Sequence, residues 1–189
     1  MRISHLFTRT FCLFAAMSLL TVPAARASYT ITVQQVGSDV VATGSGSLNT
    51  AGTSILTTGS TNSAVDSAQA SILLGPASQE FITVLQPVSG PAAFGSGAPT
   101  AASSGSGNSV GVSGFGGNIA VPKNFLGGDL GTSTDTWSNQ TLSTLGLNSG
   151  TYVYTLPSDT FTVNILPEPA SLSLLALAGI AMLRRRMRD

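Results

Sequence analysis

The pattern that most constrains this chain is a series of short β-favouring runs, each closed by turn formers and none long enough for a helix. Residues 29–33 (YTITV) alternate polar and apolar side chains, and Gly37-Ser38-Asp39 supplies a turn into residues 39–43 (DVVAT) as a hairpin partner. A strand is expected at 80–85 (EFITVL), bounded by Pro76 and Pro87, with shorter ones at 109–113 and 118–121. Residues 134–142, which carry Trp137, are a further candidate. The clearest pair is last. Residues 151–156 and 160–166 flank Pro157-Ser158-Asp159, and Phe161, Val163 and Ile165 share one face by period-2 geometry. No long stretch repeats its apolar residues every 3.6 positions. The expectation is an all-β body, a single jelly-roll-like β-sandwich. Residues 90–117, dense in Gly and Ser, read as a flexible surface loop or a disordered insert. The other reading of that segment is a weak edge strand through Val110, Val112 and Phe115.

Charge divides the chain. Arg2, Arg9 and Arg26 lie at one end, and Arg184, Arg185, Arg186 and Arg188 at the other. Between residues 28 and 166 only Lys123 is basic, against Asp39, Asp66, Glu80, Asp129, Asp135 and Asp159, so this body has a formal charge of −5. Such a surface cannot neutralise a run of phosphates, which argues against a nucleic-acid partner.

Both ends read as addresses. Arg2, His5 and Arg9 precede a short apolar run at 11–22, which Pro23 ends; Ala25-Arg26-Ala27 then offers small residues where a signal peptidase reads them. This predicts a signal peptide over 1–27, cut between Ala27 and Ser28. At the other end Pro167-Glu168-Pro169 leads into an uncharged apolar segment, 170–183, and then the Arg cluster. Pro169 suits the first turn of a helix, Glu168 its positive end, and the arginines the cytoplasmic side of a membrane. At 1.5 Å per residue that transmembrane helix would rise about 21 Å, short of a hydrocarbon core of about 30 Å. Snorkelling arginines and local thinning close such a gap.

These three consecutive pieces, residues 167–189, together with a signal peptide, resemble the PEP-CTERM sorting tail read by exosortases of Gram-negative bacteria. A tail of this kind is also labelled an ice-binding protein C-terminal domain, a label that describes the tail. Leu166 stands where members of the family usually have Val. The resemblance implies export, a transient pause in the inner membrane, cleavage near Pro167-Glu168-Pro169, and release to the cell envelope, surface or exopolysaccharide matrix. The partners it implies are signal peptidase, an exosortase and, for the body, an exopolysaccharide.

The body offers little chemistry. Cys12 and His5 are the chain's only cysteine and histidine, and both precede residue 28. Ser-His-Asp and Cys-His catalysis and the usual N/S transition-metal sites are therefore excluded from the body. Lys123 reads as a solvated charge and Ser28 as an ordinary mature terminus. Asp129 and Asp135, six apart, are the pair a glycosidase would need, and their segment carries oxygen ligands of the kind Ca²⁺ takes. The default reading there is a polar turn, with no metal or cofactor. Trp137, Tyr152 and Tyr154 are the aromatics suited to stacking on sugars, though core packing is their commoner use. The sequence holds no T-x-T array on a regular repeat. Three functions follow: a non-enzymatic matrix or surface protein, a carbohydrate-active enzyme, or an ice- or surface-binding adhesin. The first is favoured because the body has no His, Cys or Arg.

Overall fold

The computed structural model describes residues 28–167. The predicted signal segment, Ala25 and Ala27 within it, Glu168, Pro169, the 170–183 helix and Arg184, Arg185, Arg186 and Arg188 lie outside the described residues. Among the described residues no helix is long and apolar enough to cross a membrane. They form an all-β, sandwich-like fold of two sheets around one apolar core.

The first sheet has six strands. Its strands are β1 (Ser28–Val36), β2 (Asp39–Leu48), β8 (Ser104–Ser106), β11 (Gly128–Trp137), β12 (Gly150–Thr155) and β13 (Thr160–Ile165). They lie in the order β12-β13-β1-β2-β11-β8. The β1–β2 and β12–β13 hairpins form as the alternation predicts. The strand expected at 134–142 ends at Trp137, with turns beyond.

The two hairpins are joined by a pairing that local pattern does not announce. Strand β1 runs parallel to β13, with Ser28 opposite Thr160 and Val33 opposite Ile165. Tyr29, Ile31, Val33, Phe161, Val163 and Ile165 all point into the core and are fully or almost fully buried. Full burial of side chains this size is worth about 1.5–3 kcal/mol each, so this seam is a main source of stability. Tyr29 stacks on Phe161 at 5.4 Å. The seam joins the first and last described strands, so the body closes only when both are present.

The second sheet has seven strands: β3 (Ser54–Thr61), β4 (Ala64–Asp66), β5 (Ser71–Leu74), β6 (Glu80–Gln86), β7 (Thr100–Ala101), β9 (Val110–Ser113) and β10 (Asn118–Pro122). Their order is β3-β6-β10-β9-β5-β4-β7.

This sheet corrects the reading of residues 90–117. The segment is built into both sheets: it supplies β7, β8 and β9, and β9 is an interior strand between β10 and β5. Val110 and Val112 are core residues, whereas Phe115 is exposed at the β9–β10 turn. Its glycines serve close approach. A Cβ on Gly111 would run into the Ile72 carbonyl of β5, and one on Gly105 into the Asp135 carboxylate and the Gly75 carbonyl. Phe94, from the same segment, is fully buried edge-on against Tyr152 at 4.9 Å.

Candidate functional site

The acids singled out in the sequence do not form a catalytic pair. Asp129 is exposed at an irregularity of β11, where its Oδ1 accepts a 2.9 Å hydrogen bond from the Gly131 N–H. Asp135 is enclosed between the sheets, 1% exposed, and its Oδ1 accepts from the Gly75 N–H at 3.1 Å. One carboxylate shapes a strand irregularity and the other is a core group, so neither a glycosidase pair nor a Ca²⁺ loop is assembled from them. Among the described residues no cluster of three or more His, Cys, Asp or Glu is arranged to hold a metal ion.

Asp159 is also structural. Its two carboxylate oxygens accept the N–H groups of Asn49 at 2.6 Å and Thr160 at 2.7 Å, which ties the end of β2 to the β12–β13 turn. Lys123 lies with its Nζ 5.1 Å from the Phe81 ring centroid, a cation–π contact at the surface. Ser28 opens β1, partly buried, and Pro167 is exposed just past β13.

The aromatics proposed for sugar stacking face inward. Trp137 is 1% exposed and donates its Nε1–H to the Thr100 carbonyl at 3.1 Å. Tyr154 is fully buried and donates to Pro91 O; Tyr152 is half-buried and donates to Asn148 O. Burial raises both phenol pKa values by disfavouring the phenolate. Here core packing is what these residues do.

The core contains a polar cluster that the sequence did not reveal. The Asp135 Oδ2, the Ser63 hydroxyl and the Tyr29 hydroxyl are buried without a hydrogen-bond partner among the described residues. Burial pushes the Asp135 carboxyl up to about 7, against the Gly75 N–H and the nearby Ser63 hydroxyl, which both favour the charged form. The same burial raises Tyr29.

Two outward faces remain as candidate contact surfaces. On the first sheet, register aligns hydroxyl-bearing residues into rows across the strands. One row runs Val153, Thr162, Thr30, Ser45, Thr132. The next runs Thr151, Asn164, Thr32, Thr43, Thr134, Ser106. Neighbouring rows lie about 6.8 Å apart along the strands and neighbouring positions about 4.8 Å apart across them. Neither row contains a charged side chain. Only strand pairing brings Thr30 and Thr32 together with Thr43, Thr132, Thr134 and Thr162.

The outward face of the second sheet is hollowed into a groove of about 330 Å³. Across β4, β5, β9 and β10 one row reads Asp66, Ser71, Ser113, Asn118. Two residues further along, with β6 added, the row reads Ala64, Leu73, Gly111, Ala120, Val84. Thr61, Asn62 and Pro99 also line the groove. Asp66 is 9% exposed; its Oδ2 accepts from Gln69 Nε2 at 2.8 Å and its Oδ1 has no partner among the described residues.

Compared with known proteins, the chain matches no family model, no curated protein and no solved structure.

Proposed function

We propose that this is an exported, non-enzymatic surface or exopolysaccharide-matrix protein. In this reading signal peptidase cuts between Ala27 and Ser28, the tail pauses in the inner membrane, and an exosortase acts at Pro167-Glu168-Pro169. The Arg184, Arg185, Arg186 and Arg188 cluster is the cytoplasmic stop. A jelly-roll topology belongs to the same proposal. Two packed sheets favour it, and the parallel β1–β13 pair departs from it.

The observation that carries the reading is where the last described strand ends. It closes at Ile165, just before Pro167, where the sorting tail begins. Because β1 and β13 are parallel, Ser28 and Leu166 leave the sheet at opposite ends, about 17 Å apart over the paired residues. On the C-terminal side only Leu166 stands between β13 and Pro167. The structural roles of Asp129, Asp135 and Asp159 also favour a contact protein over a carbohydrate-active enzyme.

The test is cell fractionation in a host that has the processing enzyme. Glu168→Gln removes charge and keeps shape, while Pro167→Ala with Pro169→Ala removes rigidity and keeps charge. Unprocessed protein accumulating in the inner membrane is the expected result. Unchanged distribution for both variants would leave a plain single-pass anchor.

A second reading, an ice- or surface-binding adhesin, is favoured by one observation, the uncharged threonine rows of the first sheet. Inhibition of ice recrystallisation by the protein, abolished by Thr32→Lys or Thr43→Lys, would promote it. No inhibition would remove the ice form of that reading.

A further inference from the structure

We infer that the groove on the outward face of the second sheet binds a neutral oligosaccharide segment, laid across the strands. This names the site and ligand class for the matrix-contact reading and rests on it. The inference starts from the two parallel rows. A pyranose has a C–H-rich face and hydroxyl-bearing edges. The row of Leu73, Gly111 and Ala120 offers a low, apolar floor to the first, and the row of Asp66, Ser71, Ser113 and Asn118 offers carboxylate, hydroxyl and amide groups to the second. The rows are two residues apart on each strand, about 6.8 Å, so one ring can touch both. From β4 to β6 the floor spans about 19 Å, room for a short oligosaccharide and not only one ring.

Three features select this ligand over others. Among the described residues Asp66 is the only ionisable side chain lining the groove and no cation accompanies it, which disfavours uronates, phosphates and nucleic acids. The strands under the groove are paired on both sides, so a peptide could not add to the sheet there by main-chain hydrogen bonds. The third is Asp66 itself, nine-tenths buried where it lines the groove, with an Oδ1 that has no partner among the described residues. A buried carboxylate oxygen without a donor is costly, and a sugar hydroxyl relieves it once a small turn of the carboxylate brings Oδ1 to the groove surface. Among the described residues Ser71 leaves its hydroxyl uncommitted in the same row, and Asn118, whose amide N–H donates to Gly116 O at 3.1 Å, keeps its carbonyl oxygen free.

The experiment is a ¹⁵N–¹H NMR titration of the full chain in phosphocholine micelles, chosen to avoid sugar detergents. The probes are cellohexaose, laminarihexaose and maltohexaose, with hexagalacturonate as the anionic arm. The expected result is that at least one neutral hexamer shifts amides of residues 64–73 and 111–120 saturably. Asp66→Asn, which keeps the shape, should weaken it about tenfold or more, the loss expected for a hydrogen bond to a charged group. Ala120→Phe should abolish it by filling the floor. Should that variant misfold, the Asp66→Asn result decides alone. Hexagalacturonate should bind more weakly than the neutral probe. The inference is overturned if no neutral hexamer shifts groove amides at millimolar concentration, if the shifts map elsewhere, or if the anionic hexamer binds as well. Delivery is read by fractionation and binding by titration, so the two proposals fail separately.

Discussion

The two sheets turn similar apolar faces inward and different faces outward. The first sheet carries threonine, serine and asparagine of similar size in register, which makes an even, uncharged face. The second sheet places Gly111 and Ala120 in its middle strands, with Thr61, Asn62 and Pro99 around them, which makes a hollow. The inner sides differ too. The first sheet holds the β1–β13 closure and the enclosed Asp135; the second sheet's interior strands bury mostly Ile, Leu and Val. The contrast teaches that composition alone does not set a role. Residues poor in charge and rich in Gly, Ser and Thr close the fold in one place and line an outward groove in another.

The largest expected effect tests that division. Val163→Asp puts an unpaired charge inside the first sheet, and should cost more than about 4 kcal/mol and unfold the body. Ala120→Asn on the outward side of the second sheet should stay within about 0.5 kcal/mol. Urea unfolding followed by circular dichroism compares them, and equal costs would break the contrast.

The next effect is the pH dependence carried by Asp135. Its folded-state carboxyl holds a proton up to about pH 7, whereas the unfolded chain releases it near the ordinary aspartate value of 3.8. Between those limits the folded state binds more protons, so stability falls as pH rises from about 4 to about 7 and then levels off. A shift of that size corresponds to roughly 4 kcal/mol. Asp135→Asn keeps an oxygen for the Gly75 N–H and removes the charge, so it should flatten the profile and be more stable than the parent at pH 8. Urea midpoints at pH 5 and pH 8 measure it. A parent whose stability rises over that interval would contradict the burial argument.

Smaller again is the cost of filling one glycine. Gly105→Ala should lose about 1–3 kcal/mol, because the new methyl meets the Asp135 carboxylate and the Gly75 carbonyl. A flexible loop would tolerate it. The smallest effect belongs to the outward threonines. Thr43→Val should change stability by less than about 0.5 kcal/mol, since the Thr43 hydroxyl bonds to no other described residue and the β-branched shape is kept.

What was legible in the sequence was what local periodicity encodes. The β1–β2 and β12–β13 hairpins followed from alternation and adjacent turn residues, and the buried side of β13 followed from Phe161, Val163 and Ile165. The parallel seam did not, because Tyr29 and Phe161 lie far apart in the chain and only sheet pairing unites them. The segment 90–117 misled because glycine has two uses. Gly105 and Gly111 are there for close approach, and composition cannot separate that from freedom. Strand β3 (SILTTGST) was missed because it is an almost wholly exposed edge without apolar alternation. Asp129 and Asp135 sit on one strand at a suggestive spacing, yet an irregularity at 129–132 and the inward turn of Asp135 separate their surroundings. The groove drew on five strands from separate parts of the chain, 64–86 and 110–122, and had no local signal beyond small residues at Gly111 and Ala120.

The central claim is that the described body is the part delivered outside the cell, with both address segments removed. The intact mass of the protein recovered from envelope and growth medium tests it most directly. The account predicts a chain that begins at Ser28 and ends near Pro167-Glu168-Pro169, without the Arg184–Arg188 cluster. A released protein that still carries Met1, or that keeps residues 170–189, would contradict it.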